Sequence, residues 1–157
     1  MIIGVDAGTL SVSDQRLKVG VYRVVYNALR ILGQIDRKNH YILYSFDPID
    51  KAIMNAFGPR MHNNVLRPKK GWFTLRLPLE LRVHPVDLFL GFSQAVPSSV
   101  PRTIGFIYDV GFLYHPDAYP GFYNKLKRQT RDVVDRSAHI MAISETVKKD
   151  IRRVSGN

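Results

Sequence analysis

Three apolar runs in this 157-residue chain end on, or lead into, side chains able to bind or ionise. Ile2 to Asp6 ends on a carboxylate, the run from Thr103 ends on Tyr108 followed by Asp109, and Ala138 to Ile143 leads into Ser144-Glu145. A carboxylate beside an apolar run costs free energy unless it faces a cleft or receives backbone N–H groups. Asp109 therefore either meets a ligand or caps the turn after it. Asp6 either orients the loop ahead or satisfies backbone donors. The Tyr108 phenol is able to hydrogen-bond a ligand hydroxyl, yet it does not become a cation near neutral pH as an imidazole does. A core aromatic fits the same place equally well. Ser144 reads first as a helix N-cap with Glu145 in the first turn, although its hydroxyl also stands where a cleft would lie.

A further candidate carries no side chain. Gly20, between Lys18 and the first helical residue Val21, stands where free N–H groups and the helix dipole favour an anion. Without a Cβ it also lets a phosphate approach the backbone. A glycine that only permits the turn is the plainer reading. His62, His84 and His115 have no metal-ligand spacing, and there is no cysteine, so neither a metal, a cofactor nor a disulfide is expected.

The elements that must position these residues alternate in type. Residues 7–19 read as a polar loop. Val21, Val24, Val25, Ala28, Leu29, Leu32 and Ile35 then recur at helical spacing, with Arg23, Asn27, Arg30 and Gln34 on the other face. Tyr41 to Phe46 reads as a strand, Asp47-Pro48 opens a short helix that Gly58-Pro59 stops, and Val65-Leu66 is a short third strand. Val86 to Phe92 and Thr103 to Tyr108 read as buried strands. Phe122 to Ser137 is a long helix, Ala138 to Ile143 a last strand, and Val147, Ile151 and Val154 mark a final helix. Phe73 to Val83 alternates like a strand, but Pro78 favours a helix. The sum predicts an α/β, Rossmann-like single domain over 1–157, with a mostly parallel sheet and helices on both faces. Ligands of such sheets bind at the carboxyl ends of the strands.

Lys and Arg total 23 against 13 acidic residues, a formal net charge of +10 that favours anionic partners. In Lys69-Lys70-Gly71-Trp72-Phe73, with Arg76 and Arg82, cations stand beside large apolar groups. That pattern suits a segment resting on an anionic membrane, with Trp72 and Phe73 at headgroup level. A helix packed on the sheet with solvated charges is the alternative. The cations are spread over several helices and most aromatics lie in apolar runs, which disfavours nucleic acid. No run approaches the roughly 18 apolar residues of a membrane span, and the start has no basic n-region. The expected location is cytoplasmic, or peripheral at the inner membrane face.

Four segments, KVGVYRVVYNALRIL (18–32), VDLFLGFSQAVP (86–97), FIYDVGFLYHPDAYP (106–120) and AHIMAISETVKKDI (138–151), resemble glycosyltransferase family 4 in order and spacing. Those are retaining enzymes with two facing Rossmann-like domains, the GT-B fold. The resemblance implies that the chain is the amino-terminal, acceptor-side domain and stops before the donor-binding half. It further implies that the Lys18–Val21 loop faces the donor diphosphate, and that Tyr108 and Asp109 lie at the reacting sugar. The family usually has His-Asp where this chain has Tyr108-Asp109. A nucleotide sugar is then the donor substrate, a glycan or lipid-linked molecule the acceptor, and a further domain or partner chain completes the site. Such a half is expected to be inactive alone. It would also expose an apolar strip, Val110 to Tyr114, where the other half packs.

Two rivals come from the same residues. A non-catalytic module binding a membrane surface or nucleic acid would need only the charge. Gly4 to Thr9, GVDAGT, resembles the first phosphate loop of the sugar kinase and actin superfamily, a fold that requires an antiparallel hairpin directly after that loop.

Overall fold

The computed structural model describes the chain except residues 15, 17, 19, 99–101, 156 and 157. Strands β1 (Ile2–Asp6), β2 (His40–Ser45), β3 (Met61–Val65), β4 (Leu88–Gly91), β5 (Thr103–Ile107) and β6 (His139–Ala142) form one sheet. Its order is β3-β2-β1-β4-β5-β6, and every pairing is parallel. The sheet is thus wholly rather than mostly parallel, in a Rossmann-like order whose switch point lies between β1 and β4. β1 pairs in parallel on both sides, and a 3-10 turn, Gly8–Ser11, follows it. Among the described residues the hairpin required by the kinase-like rival is not formed.

Alternate strand residues feed opposite layers, as the two-residue period demands. Ile3, Val5, Tyr41, Leu43 and Leu90 pack under helices α1 (Val21–Ile35) and α2 (Lys51–Phe57). On the other face Ile42, Tyr44 and Phe89 meet α3 (Leu77–Val83). Ile107, Ile140 and Ala142 meet α4 (Tyr123–Arg136) and α5 (Glu145–Ser155) there. On the α1 side Ile104 and Phe106 of β5 pack at the edge of that first cluster, and beyond them Met141 and Ile143 are exposed.

Several boundaries differ from expectation for local reasons. β3 begins at Met61, because the polar Asn63 and Asn64 are absorbed by hydrogen bonds: Asn63 donates to the Leu43 carbonyl and the Ser45 hydroxyl, and Asn64 donates to Glu80. α2 begins at Lys51 because Asp50, rather than Asp47, accepts the Ala52 N–H at 2.7 Å. Phe73 to Val83 is helical, entered through a π turn, Trp72–Arg76. That wider turn precedes Pro78, whose ring would crowd the Thr74 carbonyl in an unbroken α-helix.

The α1–α2 contact depends on Gly33, where a Cβ would overlap the Phe57 carbonyl. Gly33→Ala should therefore destabilise the chain by about 1–3 kcal/mol, as overpacking does. The expected sign is a lower urea midpoint at unchanged slope. An unchanged midpoint would mean that the two helices stand further apart.

Candidate functional site

In an all-parallel sheet every strand ends at the same edge, and helices returning to the next strand begin there. Asp6 is the last residue of β1, Tyr108 and Asp109 follow β5, and Ser144 follows β6. Gly20 opens α1. One turn further on, Val24 and Ala28 line an apolar hollow of about 290 Å³ with Phe92, Phe106, Tyr108 and Ile143. The Gly20 turn, Asp6, Tyr108-Asp109 and Ser144 thus gather at one edge, the edge at which sheets of this order place a ligand crevice beside the switch point.

Asp6 has no solvent exposure. Its two carboxylate oxygens accept the Gly8 N–H at 3.3 Å and the Ser93 N–H at 3.0 Å. It joins the loops after β1 and β4, and among the described residues the Gly20 turn is not its partner. Burial holds its pKa above the ordinary aspartate value, partly offset by those hydrogen bonds.

Tyr108 is half-buried, and its phenolic oxygen is enclosed without a hydrogen-bond partner among the described residues. Burial, with a smaller contribution from the Asp6 charge, pushes its pKa upward. The neutral phenol is therefore the resting state. Asp109 is exposed but engaged within its own loop, where it accepts the Gly111 N–H at 2.6 Å and the Tyr119 hydroxyl at 3.1 Å. It caps a turn at the rim of the crevice. Ser144 does the same for α5, its hydroxyl accepting the Val147 N–H at 3.2 Å.

The start of α1 is different. Gly20 has φ 53°, a conformation that disfavours side chains, and a Cβ there would meet nothing within 4 Å. Among the described residues no side chain caps this end, and no acidic residue lies in its first turn. Among the described residues, the first N–H groups, beginning at Val21, have no hydrogen-bond partner. Lys18 lies nearby, its ammonium 5.8 Å from the Tyr22 ring centre.

Two expectations are corrected. Val110 and Phe112 are buried in the core shared with α4 and α5, because Phe112 stacks edge-on against Tyr119 and Tyr123. No exposed strip forms from them; only Tyr114 is exposed, and it donates to Asp150. Trp72 is turned inward, edge-on to Phe46 and Phe73, and a Cβ on Gly8 would come within 2.5 Å of it. Its ring and the half-buried Phe73 belong to the packing of this face rather than to an exposed tip. Lys69 sits 4.5 Å above the Phe46 ring, Lys70 is exposed, and Arg76 donates to the Arg67 carbonyl.

Gln94 escaped the sequence reading, and nothing in its neighbours signals it. It adopts φ 51° and makes three hydrogen bonds. Its amide nitrogen donates to the Asp109 carbonyl and the Thr130 hydroxyl, and its oxygen accepts the Tyr108 N–H. The loop after β4 is thereby clamped to the loop after β5 and to α4. Gln94→Ala should cost about 1–3 kcal/mol, since two backbone groups lose their partner. Amide exchange should rise at Tyr108. Unchanged exchange there would show that the clamp is not maintained.

Comparison of the chain with family models, with curated proteins and with solved structures finds no match, so the chemistry of this edge is argued from its own geometry.

Proposed function

We propose that this domain is the acceptor-side half of a retaining, sugar-nucleotide-dependent glycosyltransferase. The observation that carries the reading is convergence. The segments that resemble family 4 are dispersed between Lys18 and Ile151, yet their Gly20, Tyr108-Asp109 and Ser144 turns meet at one sheet edge. In this reading the uncapped start of α1 meets the donor diphosphate, for which open backbone N–H groups and a positive helix end are suited. The Asp109 turn forms the rim beside the transferred sugar and the acceptor, a glycan or a lipid-linked molecule. Asp6 and Gln94 hold the turns without touching substrate.

Retaining transfer develops positive charge on the sugar while a diphosphate departs, so most of the stabilisation must come from cations around the leaving group. In the family those cations belong to the donor-side domain. This domain alone should therefore bind a sugar nucleotide no more tightly than about millimolar, near −4 kcal/mol. Titration of the isotope-labelled chain with UDP- and GDP-sugars, followed by NMR, should shift the amides of Gly20, Val21 and Tyr22 and those of the Asp109–Gly111 turn. Gly20→Val, checked for folding, should abolish the shifts. Shifts that avoid this edge would contradict the reading, as would micromolar binding with turnover by this chain alone.

A further inference from the structure

The helical stretch Trp72 to Val83 is apolar on two opposite sides. Leu77 and Leu81 are buried against the sheet. Leu75, Leu79 and Val83, each four residues from the next, form a row on the outer side and are 62%, 43% and 71% exposed. Aliphatic side chains gathered in a row on a monomer surface mark a contact with something else. The charges around the row are of one kind. Lys69 and Lys70 precede it, Arg76 and Arg82 flank it, and among the described residues none of the four is in an ion pair. Glu80, the one acidic residue of the stretch, is turned to Asn64 and His84. Beside the helix, Thr74 and Pro78 share a groove of about 210 Å³ with Lys125, Arg128 and Arg136 of α4, opposed only by Asp132.

We propose that this outer face docks the protein on an anionic lipid bilayer. Leu75, Leu79 and Val83 enter the boundary between headgroups and acyl chains, while Lys69, Lys70, Arg76 and Arg82 lie on lipid phosphates. Charge complementarity selects an anionic surface, and the aliphatic row selects a bilayer over a polyanion, which offers nothing apolar to receive it. Trp72 and Phe73 take no part, because both pack inward. The proposal is independent of the reading of the crevice.

The test is sedimentation of the full chain with vesicles of mixed phosphatidylglycerol and phosphatidylcholine, with phosphatidylcholine alone, and retention on heparin as the polyanion arm. Binding is expected to the anionic vesicles only, and to fade as salt shortens the Debye length. Leu75→Ser/Leu79→Ser should weaken it on the order of tenfold, because the inserted apolar area is lost. Those side chains are exposed, so an unchanged thermal melt should accompany the loss. Arg76→Glu and Arg82→Glu should each weaken binding by roughly fivefold or more, whereas Trp72→Phe should not. Absence of vesicle binding, equal binding to neutral vesicles, or binding untouched by the leucine pair would overturn the proposal. Heparin retention without vesicle binding would overturn it in favour of a polyanion site.

Discussion

A carboxylate shut away from water at the end of β1 is the constraint on which the functional edge depends. Ionised carboxylates are not tolerated in apolar surroundings unless donors surround them. Asp6 meets that demand with N–H groups from two loops, at Gly8 and at Ser93, the second of them 87 residues away. Because β1 lies between β2 and β4, the loops it joins stand on either side of the switch point. Ser93 adjoins Gln94, which carries the tie onward to Tyr108, Asp109 and Thr130. A chain of polar contacts thus runs from the centre of the sheet to β5 and α4.

The edge is consequently uneven in a way that suits ligand binding. On the β5–β6 side, Asp109 and Ser144 spend their polar atoms on their own turns. On the α1 side the helix start is uncapped among the described residues, and Gly20 has no atom within 4 Å of where a Cβ would stand. A rigid rim opposite an unsatisfied helix end is an arrangement able to receive an anion from the solvent side. The enclosed Tyr108 hydroxyl stays neutral, so it supplies no positive charge to such a ligand.

What was legible in the sequence follows from the range of the forces involved. α1 could be read to its ends because a seven-position apolar stripe reports its own period, and the observed helix is Val21–Ile35. Ser144 was legible as a cap because capping is local. β3 was placed too late because its Asn63 and Asn64 look like loop residues until their partners on β2 and α3 are known. Gln94 was not legible at all, because it depends on β5 and α4; an inward Trp72 was one of two open readings, decided only by the bare backbone of Gly8. Phe112 misled for the same reason, since a loop aromatic declares its burial only when Tyr119 and Tyr123 are brought beside it.

The titration of Asp6 tests the account most directly. Its carboxyl resonance, followed by NMR with Asp6→Asn identifying the signal, should give a midpoint above the ordinary aspartate value, because burial outweighs the hydrogen bonds. A folded-state pKa above the unfolded one means that the contribution of Asp6 to stability is full below the unfolded pKa. It is then lost as pH rises through the folded value. The stability of the parent chain relative to Asp6→Asn should therefore fall over that interval. A midpoint at the ordinary value, with no such fall, would mean that Asp6 is solvated and that the edge is not held together in this way.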